Sequence, residues 1–293
     1  MKLDAMRILK RTNETYGSAK RVGAAALTAV LLLATSLLPG CSRESTTGII
    51  VAGSTSVQPY AEVLAEEFMI LYSGDEVDIQ GGGSSAGITA AQSGTASIGM
   101  SSRALKDEEK GMWSVEIARD GLAVVVNPEN PIQNLTLEQI SDIYAAVVTD
   151  WSEVGGPNSK IHVITREEGS GTRSAFTELV MGETEITPKA IVQDSNGAVR
   201  QLVADDPNAI GFISMGLVNE NVKALQLGNI SATRENVENG SYKLSRPFLF
   251  VSSGEPTGLA KQFIDFTLSA EGQKILMNEG LIPSTEGAEN EES

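Results

Sequence analysis

The 293-residue chain is short of several residue types on which chemistry usually depends. It has one cysteine, Cys41, and one histidine, His162. A single cysteine rules out an intramolecular disulfide. One cysteine and one histidine cannot build a His/Cys metal cluster. No Gly-Lys-Ser/Thr phosphate loop is present, and Gly81-x-Gly83-x-x-Ala86 is too loose a pattern to specify a dinucleotide. No cofactor is therefore expected. Positive charge is scarce as well, with 22 Lys and Arg against 38 Asp and Glu and a formal net charge of −16. A nucleic-acid partner calls for basic stripes and is excluded. The acidity serves solubility, and any bound anion has to be held by local donors rather than by a global field.

Long apolar runs are also missing except for one. Lys2, Arg7, Lys10, Arg11, Lys20 and Arg21 precede the uncharged, Ala-, Leu- and Val-rich stretch Val22 to Leu38. This is the pattern of a secretory signal, and it is marginal in length for a membrane span. Leu38-Pro39-Gly40-Cys41 resembles a bacterial lipobox, with Pro39 an uncommon residue at its place. Residues 1–40 are expected to be a lipoprotein signal peptide, Cys41 the lipidated amino terminus, and residues 41–47 a polar tether. The chain is then exported and held on a membrane by lipid, facing the periplasm or the cell exterior. With those six basic residues removed, the remainder is more acidic still.

The chain is rich in short Gly-Ser/Thr clusters that follow strand-like runs and precede helix-like ones. They are Gly53-Ser54-Thr55-Ser56, Gly81-Gly82-Gly83-Ser84-Ser85 and Gly169-Ser170-Gly171-Thr172, with a weaker Ser101-Ser102 before Arg103. Glycine permits positive φ and close backbone approach, and hydroxyls cap helix starts. One such turn is an ordinary cap, and one arginine such as Arg166 is an ordinary surface ion pair. Several turns converging on one cleft would surround a small oxyanion with neutral donors.

The strand candidates are residues 48–52, 77–79, 96–100, 121–126, 161–165, 210–214 and 248–251. Helical spacing over Tyr60, Val63, Leu64, Phe68 and Leu71, and again from Leu259 to Met277, supplies helices between or after them. Thr136-Leu137-Glu138-Gln139 matches a capping box. Strand, Gly-Ser turn and helix repeat in α/β fashion, which predicts a largely parallel sheet with ligand groups at the carboxyl ends of its strands. The proline-bracketed segment 127–131 is a candidate crossover, and the turn-rich stretch 228–241 a candidate return.

Four segments carry a family resemblance: Val51 to Pro59, Gln80 to Ile88, Ser97 to Arg103 and Arg166 to Arg173. Leu135 to Gly156 and Ala209 to Gly216 add to it. Over about residues 48–283 the chain resembles the periplasmic phosphate-binding proteins of bacterial ABC importers. The resemblance implies a type II periplasmic-binding-protein fold, two α/β lobes around a central cleft joined by two crossovers. Lobe 1 is then 48–126 plus 242–283, lobe 2 is 127–241, and 284–293 is an acidic tail. It also implies a monomer that binds inorganic phosphate and delivers it to the transmembrane subunits of an ABC permease.

Position by position, the family's phosphate ligands fall on Thr55, Ser56, Ser84, Ser102, Arg166, Ser170, Gly171 and Thr172. Ser102 stands where many relatives have an aspartate that accepts the phosphate proton. Arg103 and Glu168 are additional candidates; Glu168 or Glu167 either supplies the missing acceptor or orients Arg166 as an ion pair. Because a carboxylate rejects fully deprotonated anions, its absence leaves sulfate or molybdate open as alternative ligands. A secreted serine hydrolase is the alternative of another class. Gly83-Ser84-Ser85-Ala86-Gly87 fits the G-x-S-x-G nucleophile pattern with Ser85, but the sole histidine, His162, lies inside an apolar strand run rather than a loop. No catalytic residue is therefore assigned.

Overall fold

The computed structural model describes residues 47–284. The expected signal peptide, the tether up to residue 46 with Cys41, and the tail beyond Ser284 lie outside the described residues. From the amino end, β1 (Thr47–Gly53), β2 (Asp75–Gly81) and β3 (Ile98–Ser101) alternate with helices Gln58–Leu71 and Ser84–Ser93. A long β4 (Trp113–Val126) and a short β5 (Asn134–Leu135) follow. Next, β6 (His162–Arg166), β7 (Ile191–Gln193) and β8 (Ala209–Ser214) alternate with helices Gly171–Phe176 and Asn196–Asp205. Short β9 (Lys223–Ala224) and β10 (Gln226–Leu227) precede β11 (Ser245–Ser252). Helices Gly258–Leu268 and Ala270–Asn278 then lead to β12 (Ile282–Pro283).

Residue spacing explains the helices. In Gln58–Leu71 the buried Tyr60, Leu64 and Phe68 recur every four residues beside Ala61 and Ala65, while Leu71 is exposed. Pro59 sits in the first turn, where a missing N–H costs nothing. Fully burying Leu64 or Phe68 is worth roughly 1.5–3 kcal/mol each. Thr136 and Gln139 form the expected capping box, each side chain bonded to the other's backbone N–H at 2.9–3.1 Å. The expected closing helix is two, interrupted at Ser269, whose hydroxyl caps the second by accepting from Gly272 N–H.

The main sheet runs in the order β2-β1-β3-β11-β4-β8-β6-β7. Its outer pairs, β1 with β2 and β3 and β6 with β7 and β8, are parallel as expected. The seam between them departs from that expectation: β11 is antiparallel to β3 and β4, and β4 is antiparallel to β8. The reason is that β4 and β11 carry the chain across the molecule and back, so they run in opposite directions.

The cores mark where those crossings fall. Val115, Ile117, Phe248 and Phe250 pack with Val51, Phe68 and Phe263 in one core. Leu122, Val124 and Val126 pack with Tyr144, Trp151, Phe176 and Phe212 in a second. On the opposite face of the same strand, Ala123 and Val125 pack with Ile164, Val199 and Ile213. Burial on both faces explains the unbroken apolar run 121–126. The chain thus leaves the first core inside β4, before Leu122, and returns between Leu244, in the second core, and Phe248. Segment 127–131 does not cross; Asn127 and Asn130 donate to the carbonyls of Val203, Ala204 and Pro207. Segment 228–241 does not cross either, and its Val237 stays with the second core.

Helix Ser84–Ser93 lies flat on β1 and β3 because Gly87 has no side chain. A Cβ there would meet the Ala52 carbonyl oxygen and approach Gly53 Cα to 2.6 Å. Gly87→Ala is expected to lower stability by about 1–3 kcal/mol through overpacking. A thermal melt followed by circular dichroism checks this, and an unchanged midpoint would show that the helix has room to shift.

Candidate functional site

Because β1, β2 and β3 run parallel, their carboxyl ends lie along one edge, and the Gly-Ser turns leave from that edge. Gly53 has φ 141° and its Cβ position is filled by the Met100 carbonyl, so only glycine fits between β1 and β3. Gly83, with φ 91°, donates its N–H to the Gly53 carbonyl at 2.9 Å and ties the second turn to the first.

The hydroxyls of these turns bond mostly to one another. Ser54 Oγ donates to Ser102 Oγ at 2.8 Å, and Ser84 Oγ accepts from Ser102 N–H at 3.0 Å. Ser56 Oγ lies 2.8 Å from Thr172 Oγ1, joining the first turn to the turn after β6. The Gly169 carbonyl accepts from Ser85 N–H at 3.1 Å, so the second and third turns meet as well. Among the three expected caps only Ser170 caps by its side chain, accepting from Arg173 N–H. The helices after the first two turns have no side-chain cap, which leaves the Ser56 and Ser84 hydroxyls to face the junction.

Ser56, Ser84, Ser102, Ser170, Gly171 and Thr172 are all buried, and Thr55 is half-buried with its hydroxyl accepting from Asn196 Nδ2. Gly171 is pressed against the cluster: a Cβ on it would strike Ser84 Oγ and come within 2.6 Å of Ser102 Oγ.

The charged residues divide sharply. Arg166, 1% exposed, is held by Glu167 through Nε and Nη2 at 2.9 Å, and by the carbonyls of Gln193 and Asp194. Its Nη1 is buried with no partner. Of the two acidic candidates, Glu167 is thus the one that orients Arg166, while Glu168 is exposed. Arg103 is bound bidentately by Glu109 at 2.6 and 2.8 Å and reaches only Ser85 Oγ near the site. The guanidinium hydrogen bonds hold the Glu109 carboxyl below the usual carboxylate range.

Sequence reasoning missed Ser54, Asn196, Ser214, Asp120 and Arg246. Arg246, on β11, pairs with Asp120, directly opposite on β4, through Nε and Nη2 at 3.2 and 2.9 Å. Its Nη2 also donates to Ser56 Oγ at 3.0 Å, and its Nη1 lies 3.5 Å from Ser102 Oγ. Ser214 Oγ donates to Asp120 at 2.9 Å. Ser214 N–H donates to Asn196, which in turn donates to Ser56. Burial pushes the Asp120 carboxyl up, opposed by Arg246, and pulls Arg246 down, opposed by Asp120. A guanidinium starts so high that Arg246 stays charged. No local signal marked Asn196, Ser214, Asp120 or Arg246, whose side-chain contacts in this network are all long-range. Ser54 lies within the first Gly-Ser turn, and its Oγ also accepts from Ser56 N–H.

The G-x-S-x-G pattern does not assemble into a triad. Ser85 Oγ accepts from Arg103, and His162 bonds Asp206 at 2.6 Å at the amino end of β6. Four residues of extended strand, about 13 Å, separate it from the carboxyl end near which Ser85 lies. Among the described residues no acidic or His/Cys group gathers that could hold a metal ion, and no helix is long and apolar enough to cross a membrane.

A model of the PBP superfamily domain matches residues 40–271. The phosphate-binding protein PstS of Bacillus subtilis (strain 168) is 30% identical over 250 residues, 83% of each chain. The chain belongs to the PstS family of phosphate-binding proteins. A Clostridium perfringens phosphate ABC transporter substrate-binding protein, crystallised with bound phosphate, superposes with a TM-score of 0.79 at 45% identity, over 82% of this chain and 100% of that one. An ABC-type phosphate transport receptor from Vibrio cholerae gives 0.68 at 40%, over 80% and 100%. The fold is accordingly the type II periplasmic-binding-protein fold of PstS, two α/β lobes with two crossovers. The hydroxyl cluster sits where those lobes meet.

In a PstS-family cleft, Gly171→Ala is expected to prop the lobes apart, since neither Ser84 nor Ser102 leaves room for a methyl group. Small-angle scattering should show a larger radius of gyration. A variant as compact as its parent would mean the serines give way.

Proposed function

We propose that this protein is an extracytoplasmic phosphate-binding protein that delivers inorganic phosphate to an ABC importer. The observation that carries the reading is the convergence of buried hydroxyls from four turns, together with the buried, unpartnered Nη1 of Arg166 at the carboxyl end of β6, the strand that leads to the third turn. Phosphate oxygens accept from hydroxyl and guanidinium donors, and a hydroxyl oxygen can take the one proton that monohydrogen phosphate offers. The proposed ligands are Thr55, Ser56, Ser84, Ser102, Arg166, Ser170, Gly171 and Thr172, with Glu167 orienting Arg166. Arg103 and Glu168 are left out, the first committed to Glu109 and the second exposed.

We put the lobe boundary near Asp120 and Arg246; the passage of the chain from the first core to the second between Ala118 and Leu122, and back between Leu244 and Phe248, supports it. Binding draws the lobes together and displaces water, and the permease reads the closed form. The protein acts as a monomer, tethered by lipid at Cys41, and without catalysis. A specific observation keeps sulfate and molybdate as the second reading: Ser102, not a carboxylate, faces the cluster.

Titration calorimetry with phosphate, sulfate and molybdate decides between them. Phosphate is expected to bind most tightly, and at 100 times its Kd to stabilise the fold by about 2.7 kcal/mol. Ser84→Ala and Arg166→Gln should each cost roughly 1.5–3 kcal/mol of binding, the worth of a hydrogen bond to a charged group. Ser85→Ala and His162→Ala should leave affinity unchanged. Sulfate binding as tight as phosphate would sink the phosphate assignment, and ester hydrolysis lost in Ser85→Ala would favour an enzyme.

A further inference from the structure

The geometry points to Arg246 as a second charged contact for the bound oxyanion, with Asp120 as the residue that positions it; this rests on the oxyanion reading above. The plainer account is a structural ion pair between the crossing strands. Three observations go beyond it.

The first is donor bookkeeping. A guanidinium has five N–H donors. Asp120 takes one from Nε and one from Nη2, and Ser56 takes another. The Nη1 contact to Ser102 is 3.5 Å, at the limit of hydrogen bonding, on a side chain only 2% exposed. Donor capacity is left over in a buried place.

The second is direction. The edge not taken by Asp120 is turned to Ser56 and Ser102, the same two hydroxyls that meet Thr172, Ser54 and Ser84. It therefore points into the proposed ligand cluster rather than away from it.

The third is like charge. Arg166 lies near enough to pull the Arg246 pKa down further, and its own Nη1 is buried without a partner. Asp120 and Glu167 each hold their arginine from one side only. A tetrahedral dianion seated among the hydroxyls would accept from both free edges at once and offset their repulsion. Stability alone is a weak reason to keep the pair, since apolar replacements of buried ion pairs are often neutral or stabilising.

Calorimetry with inorganic phosphate on the protein and three variants tests the inference. The double variant R246Q/D120N removes both charges, so no lone buried charge remains to unfold it. It is expected to keep its far-UV circular dichroism and a cooperative melt while phosphate binds at least about tenfold more weakly. R246K keeps the charge but lacks the fork needed to reach Asp120 and the hydroxyls together, and should bind several-fold more weakly. D120N is the positioning test. Removing a negative charge beside an anion site would by Coulomb's law tighten binding, whereas loss of orientation should weaken it several-fold.

A folded R246Q/D120N within about threefold of the parent, or an unaffected R246K, overturns the contact. D120N binding phosphate as tightly as the parent, or more tightly, overturns the positioning role. A parent that binds sulfate or molybdate but not phosphate defeats the phosphate reading alone. The same variants titrated with that ion then decide for or against Arg246.

Discussion

The pairing of Asp120 with Arg246 is the constraint around which the rest is arranged. The two residues face each other on β4 and β11, at the level where the chain passes from one core to the other. Both are buried, and Asp120 also accepts from Ser214. From Ser214 the hydrogen bonds continue through Asn196 to Ser56 and from Ser56 back to Arg246. The circuit joins both crossing strands to the first Gly-Ser turn and to β8. Breaking one partner of such a pair leaves an uncompensated buried charge, which typically costs 3–5 kcal/mol. That penalty favours the register in which Asp120 stands opposite Arg246.

The overall charge and the local site work on different scales. A chain with net charge −16 offers no attraction for an anion at long range. Within the site the balance is set by side chains a few ångströms apart, where screening is weak and the dielectric is low. Each of Arg166 and Arg246 carries its own carboxylate, so the unliganded cluster is close to neutral and closes without a buried net charge. The hydroxyls can donate or accept, and so they satisfy one another when the lobes meet and can turn to a ligand instead.

The sequence made the parallel halves legible, because strand, Gly-Ser turn and helix follow one another locally and each leaves its own mark. Gly53, Gly83 and Gly171 stand where a side chain would collide or a positive φ is needed, and the Ser residues beside them converge as the motif order implied. The crossings were not legible. Residues 113–120 mix Glu116, Arg119 and Asp120 with apolar neighbours, and a buried Asp120 reads locally as a loop or an exposed position. Its partner Arg246 is 126 residues away. Proline-bracketed and turn-rich stretches carry the stronger local signal, although the first only ties loops to the second lobe and the other stays with the second core through Val237. Local sequence could not separate a cap from a cluster: the Ser56 and Ser84 hydroxyls cap no helix, because tertiary contacts take them, Ser56 with Thr172 of the opposite lobe and Ser84 with Ser102 of its own.

Those same contacts bear on how the cleft works. The lobes touch through Ser56 and Thr172, through Asn196 to Ser56 and Thr55, and through Ser85 N–H to the Gly169 carbonyl. Each neutral bond contributes only about 0.5–1.5 kcal/mol net, since water replaces it on opening. A handful of them holds the lobes together without making closure irreversible, and a ligand needs only a few kcal/mol of preference for the closed form to dominate the balance. An apolar interface of the same size would lock shut, and a more strongly charged one would stay open. Neutral hydroxyls backed by two individually neutralised arginines leave the closed state reachable and the cleft able to reopen, which is what a carrier that must release its cargo requires.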